Sequence, residues 1–342
     1  MANRKAVVFG VEGTELTAEE TSFFKDVNPA GFILFSRNIA DAEQVRRLTE
    51  SLRECVGDGD IMILTDEEGG RVRRFRPPLF RDYPAVRRIG ELAETDYKDA
   101  SRFAYLNALM MGTELLNLGV NVDCAPVLDL LFDNADKVIG DRAFAKDPSI
   151  VKSISGKFAL GLIHAGVTPV IKHIPGHGRA MKDTHTDIVK VDASIEDMKN
   201  TDFVPFCCFP HPVFGMMSHI VYTAVDADHP ATLSGKVRRL VENELGFHGI
   251  LFSDDFSMGA LTGFESDMRS LAGQALSSGA VDIILHCNGN LDEMVAIASA
   301  VTRLSDEQQR TISETLAQKR LFRDWSDIVK EYEDLYGRFF SR

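Results

Sequence analysis

The 342-residue chain reads as an α/β protein built on a single (β/α)8 TIM-type barrel with extra C-terminal helices. Three observations lead there. Eight short apolar, β-branched runs recur along the chain, amphipathic helical stretches separate them, and charged residues gather directly after the runs, where such a barrel keeps its active site. The count of eight matches closure and favours the barrel over a doubly wound sheet.

The runs fall at 6–10, 31–35, 61–66, 120–128, 167–173, 214–222, 249–254 and 282–286. Between them, helical periodicity is clearest where Leu106, Leu109, Met110, Thr113 and Leu116 recur at i, i+3, i+4, i+7 and i+10, a face that packs on the sheet. Further helices are expected at 18–26, 42–54, 149–164, 235–245, 266–278 and 291–303. From Ser305 onward the chain is polar and helix-prone with Trp325 and Phe339 as apolar anchors, so 1–304 forms the catalytic barrel and 305–342 helices on its exterior.

Composition narrows the function. With 38 basic against 51 acidic side chains the net charge is −13, which argues against a nucleic-acid or membrane-surface binder. No apolar stretch has the length of a signal peptide or a membrane span, so the expected location is cytoplasmic. The five cysteines, Cys55, Cys124, Cys207, Cys208 and Cys287, lack CxxC spacing and read as reduced thiols. One stretch runs against the acidic balance: Arg71, Arg73, Arg74, Arg76, Arg81, Arg87 and Arg88 face a single acid, Asp82.

The residues that end the runs carry the chemistry. Asp66, Glu67 and Glu68 follow the third, Asp123 and Asp129 lie in and after the fourth, Lys172 and His173 end the fifth, His219 lies in the sixth, and Asp254 and Asp255 follow the seventh. Single acids at strand-to-helix junctions serve as helix caps, but acids, arginines, a lysine and histidines converging on one mouth suit a small polyhydroxylated substrate. The segment VIKHIPGHGRAMKDTHTD, 170–187, is densest. Pro175, Gly176 and Gly178 forbid a regular helix there, leaving a long loop with His177, Asp183 and His185. Asp183 can hydrogen-bond His185 two residues on and tune it for proton transfer. Two alternatives are histidines that cap backbone groups, and His173, His177, Asp183 and His185 as metal ligands; Lys172 beside His173 opposes the second. In FSDD one of Asp254 and Asp255 points inward, where a carboxylate can act as nucleophile, and parity alone does not say which.

The blocks GFILFSRNI, DEEGGRVRRF, NVDCAPVLDL, IGDRAF, KHIPGHG followed by DTH, SHIVY with AVD nearby, and ELGFHGILFSDDFSM together resemble the family 3 glycoside hydrolases, and within them the bacterial β-N-acetylglucosaminidases of the NagZ type. The resemblance is close over 31–257 and thins beyond Asn288. It implies a TIM-type barrel that removes terminal non-reducing N-acetylglucosamine from peptidoglycan fragments with retention, through a covalent glycosyl-enzyme, in cell-wall recycling. By matching motif, Asp254 would be the nucleophile and His185 with Asp183 the acid/base dyad. Asp66, Arg74, Arg142, Lys172 and His173 would hold sugar hydroxyls, and His219 would line the sugar pocket. The chain departs from the family in DEEGG for DQEGG, KHIPGHG for KHFPGHG and DTH for DSH. Neither cofactor nor metal is implied, and the partner is a small carbohydrate taken up by a monomer. The arginine stretch either seats an anionic aglycone or forms a solvated face. A glycoside phosphorylase, a metal-dependent barrel hydrolase and a non-catalytic sugar-binding barrel are the rival readings.

Overall fold

The computed structural model describes residues 4–133, 137–181, 188–209, 211–261, 264, 267–317 and 325–340. Among the described residues ten strands are formed: β1 Lys5–Gly10, β2 Pro29–Leu34, β3 Met62–Thr65, β4 Val122–Asp123, β5 Thr168–Ile174, β6 Val189–Val191, β7 Phe214–Met217, β8 Ile220–Tyr222, β9 Leu251–Asp255 and β10 Ile283–His286. Eight of them close a parallel barrel in the order β1-β10-β9-β7-β5-β4-β3-β2. The other two, β6 and β8, pair with each other as a separate parallel ribbon.

The helices are α1 Ala18–Val27, α2 Ala42–Val56, α3 Val86–Thr95, α4 Tyr97–Asn117, α5 Pro148–Ala165, α6 Ile195–Asn200, α7 Gly235–Leu240, α8 Met268–Ser277, α9 Leu291–Ala300, α10 Asp306–Leu316 and α11 Ser326–Phe339. Local chemistry sets their ends. Thr17 and Glu20 form a reciprocal capping box on α1, and Asp147 caps α5 just ahead of Pro148 in its first turn. At the other end of α5, Gly166 takes φ +89°, a left-handed conformation that suits glycine.

Two of the expected strands come out differently. Within 120–128 only Val122 and Asp123 join the ladder, because Pro126 has no N–H to give; the chain rejoins its neighbour where the Leu128 amide donates to Lys172 O. The run 214–222 divides at Ser218 and His219, so Phe214–Met217 enters the barrel while Ile220–Tyr222 leaves it to pair with β6. The expected helix at 235–245 likewise splits into α7 and a π-helical turn, Val241–Leu245.

Two apolar layers hold the fold. Ala6, Val8, Met62, Leu64, Val122, Val170, Phe214, Ile250, Phe252, Ile283 and Leu285 fill the barrel interior, while Val7, Phe9, Ile63, Ile171 and Leu251 point out to the helices. The interior layer also takes in Leu304, Ile312 and Leu316, so α10 covers one end of the barrel. Packed elsewhere, α11 lays Tyr332 and the following Phe340 against Phe103 of α4, with ring centroids 5.4 and 4.1 Å away. Among the described residues no helix is long and apolar enough to cross a membrane.

Candidate active site

The interior rows turn from apolar to charged at their C-terminal ends. On β3, Met62 and Leu64 are followed on the same face by Asp66; on β5, Val170 is followed by Lys172; on β9, Ile250 and Phe252 are followed by Asp254. This settles what parity left open, since Leu251 belongs to the outer layer and Ile250 and Phe252 to the inner one. The charged ends wall a cavity of about 490 Å³, lined among others by Phe35, Asp66, Glu68, Arg74, Arg142, Lys172, His173, His177 and Asp254. A pocket of this size takes a sugar residue with room for part of its neighbour.

A lattice of ion pairs fixes the floor. Asp66 accepts from Lys172 Nζ at 2.9 Å and from Arg74 Nη2 at 2.8 Å. Glu68 accepts a two-pronged grip from Arg142, Nε and Nη2 each at 2.8 Å, and meets Lys172 Nζ at 2.6 Å. Burial opposes the charge on both acids, yet the surrounding cations outweigh it, holding Asp66 far below the carboxylate range and Glu68 at about 2. Burial works against the charge on Lys172 and Arg142 too, and the same acids raise both above their ordinary values. Every group in the lattice is therefore charged at neutral pH and already oriented before a ligand arrives.

His173 is held from behind. Its Nδ1–H donates to Asp129 Oδ2 at 2.6 Å, which leaves Nε2 toward Arg142 Nη2, 3.4 Å away. Asp129 Oδ1 also accepts the amides of His173 and His177, at 3.2 and 2.7 Å. Burial takes His177 down to about 4, so that ring is neutral at physiological pH. His219 lies behind the cavity wall and not in it. It is fully buried, its Nε2–H donates to Asp255 O at 3.0 Å, and its Nδ1 accepts from the Thr232 hydroxyl at 2.7 Å.

The two adjacent acids of FSDD have different surroundings. Asp254 takes one local bond, Oδ1 accepting the Asp255 amide at 2.9 Å. Burial works against its charge, but the imidazoles of His173 and His219 outweigh it and keep the carboxyl below its usual range. Asp255 is committed locally: Oδ1 accepts the amides of Ser257 and Cys287, both at 3.0 Å, and Oδ2 accepts the Ser257 hydroxyl at 2.6 Å. An ionised carboxylate at the mouth with few local obligations is suited to attack an electrophilic carbon.

Asp183 and His185 lie outside the described residues. Glu68 and Asp129 stand in the sequence reading as acids after their runs, with no individual role assigned. Both are acids at strand ends, and what singles them out is the long-range partner each one holds. Within the arginine stretch only Arg71 and Arg74 reach the cavity. Arg73 pairs with Asp82, Arg81 with Glu114 and Glu333, Arg87 with Glu91 and Glu94, and Arg88 donates to the carbonyls of Phe339 and Phe340. Most of this cluster therefore ties neighbouring segments together instead of facing a ligand. No three His, Cys, Asp or Glu among the described residues are grouped to hold a metal ion.

The family model for the glycosyl hydrolase family 3 N terminal domain matches residues 5–321. A β-hexosaminidase of Stenotrophomonas maltophilia is 36% identical over 259 residues, 74% of this chain and 75% of that protein. One from Xylella fastidiosa is 34% identical over 297 residues, 85% of this chain and 87% of its own. Among solved structures, NagZ from Neisseria gonorrhoeae in complex with N-trifluoroacetyl-D-glucosamine superimposes with a TM-score of 0.86 at 27% identity, covering 98% of both chains.

Proposed function

From the premise that this chain belongs to glycosyl hydrolase family 3 and is a glycoside hydrolase, we propose that it removes terminal non-reducing N-acetylglucosamine from peptidoglycan fragments with retention of anomeric configuration, in cell-wall recycling. The observation that carries this reading is the end of β9. Asp254 is ionised there and reaches a cavity whose other walls are the charged donors and acceptors Asp66, Arg74, Arg142, Lys172 and His173. The β-hexosaminidase relatives and the neighbour bound to an N-acylated glucosamine support the choice of sugar.

In the first step Asp254 attacks the anomeric carbon as the bond to the leaving oxygen breaks, and His185, oriented by Asp183, protonates that oxygen. In the second, His185 takes a proton from water, which attacks the same carbon and releases Asp254. The ion-pair lattice does not change protonation in either step; it grips hydroxyls and holds the ring over Asp254. An imidazole as the acid/base, imidazolium in the first step and neutral in the second, adds no negative charge beside a substrate that carries peptide carboxylates.

The test is a fluorinated, slow-turnover N-acetylglucosamine donor followed by peptide mapping, run beside a chromogenic β-N-acetylglucosaminide whose first-formed anomer is recorded. Covalent label on Asp254 with β-anomer released is the expected result. Label on Asp255, or retention with no label, overturns the assignment; the latter means that the acetamido group acts as nucleophile. Release of the sugar 1-phosphate in phosphate buffer identifies a phosphorylase.

A further inference from the structure

Between the two cavity acids Asp66 and Glu68, the side chain of Glu67 takes a different course. It is fully buried, and its Oε2 accepts the amides of Arg74 and Phe75 at 2.9 and 3.0 Å, closing the 67–75 loop on itself. Its own amide donates to Asp123 Oδ1 at 2.9 Å, and Asp123 is fully buried as well. Each carboxyl is left with one buried oxygen, Glu67 Oε1 and Asp123 Oδ2, that has no donor among the described residues.

Two buried anions in this arrangement need a cation, and the cations at hand are engaged. The groups around the pair are Asp66, Arg73 and Arg74 from the β3 loop, the thiol of Cys124 just after β4 and Lys172 from β5. Arg74 and Lys172 are bound to Asp66, Lys172 also to Glu68, and Arg73 to Asp82. One proton would satisfy both orphaned oxygens at once, an acid O–H on one residue donating to the carboxylate of the other.

We propose that Glu67 and Asp123 share one proton, and that this neutral acid-to-carboxylate hydrogen bond makes Glu67 a positioning residue, setting the loop that presents Arg74 and Asp66 to the sugar. Burial pushes Glu67 up to about 8, and burial together with the Glu67 charge pushes Asp123 well up. The proton is therefore held at neutral pH. Above about pH 8 its loss puts a second anion beneath Arg74, in competition with Asp66, and binding weakens on the alkaline side.

The experiment uses the full chain and two variants, Glu67→Gln and Asp123→Asn. Either amide supplies the bridging N–H without a titrating proton. In the infrared, wild type at neutral pH shows a protonated-carboxyl band that both variants lose. In melting curves the advantage of Glu67→Gln over wild type is small near pH 4.5, grows with pH and levels above about pH 8, because the folded state of wild type must hold a proton that the unfolded state releases. The third readout, binding of N-acetylglucosamine, rests on the function proposed above. Wild type loses affinity by roughly tenfold from neutral to alkaline pH while Glu67→Gln does not. Absence of the band from wild type, or melting curves that run parallel in pH, overturns the shared proton. The same pH dependence of binding in both proteins overturns the positioning role. If no protein binds the sugar at any pH while band and melting behave as expected, the sugar-site reading fails and the shared proton stands.

Discussion

Glu68→Gln tests whether the ion-pair lattice is built or incidental. The change keeps the side-chain shape and removes one negative charge from beneath Lys172, which is buried, and Arg142, which is mostly so. Lowering the Glu68 carboxyl from 4.5 to about 2 corresponds to about 3 kcal/mol at 1.36 kcal/mol per unit. This agrees with the 3–5 kcal/mol, roughly, that breaking a buried pair from one side costs. Because the folded value is depressed, that stabilisation is complete above about pH 4.5 and fades as pH falls toward 2. At pH 7 the variant should melt well below wild type, and the gap should shrink in acid. With a chromogenic β-N-acetylglucosaminide, kcat/KM should fall on the order of 100-fold, because Arg142 and Lys172 lose the anchor that spaces them. A Tm equal to that of wild type at pH 7, or a kcat/KM within roughly threefold, refutes the reasoning.

Other expectations follow from the same contacts. Asp254→Asn should stay folded and lose turnover by ~10⁴-fold, whereas Asp255→Asn should cost about 1 kcal/mol in a melt and far less activity, because its role is to accept from Ser257 and Cys287. In Asp129→Asn the His173 ring loses its charged anchor; KM should rise by roughly tenfold with a smaller change in kcat, and equal falls in both would point to lost fold instead. Dialysis against a strong chelator should leave the rate unchanged, since the carboxylates of the cavity floor are neutralised by Arg74, Arg142 and Lys172; recovery of a lost rate by zinc would contradict this. Phe103→Ala should cost about 3–5 kcal/mol by freeing α11 from α4 while leaving kcat/KM near wild type below the melting range, which separates packing from catalysis.

What the sequence makes legible is what short-range periodicity encodes. The eight runs, the helix faces and the acids at the strand ends follow from spacing, and the motif blocks add Asp66, Arg74, Arg142, Lys172 and His173, which the barrel does bring to one cavity. Spacing does not encode partners. Seven arginines counted against Asp82 look like an uncompensated field, yet Arg81 is answered by Glu114 and Glu333, and Arg88 by carbonyls more than 250 residues away along the chain. The family resemblance puts His219 in the sugar pocket, but the run 214–222 breaks at that point and turns its ring behind the wall, against Thr232 and the Asp255 carbonyl. The same blindness hides Glu67 and Glu68. As neighbours in DEEGG they look interchangeable, but Glu68 meets two cations that hold it down at about 2, whereas Glu67 meets only two amides and burial pushes it up to about 8. One residue of offset on a strand end thus decides whether a glutamate anchors the charges that grip the substrate or stores a proton beneath them, and only the closed barrel fixes that offset.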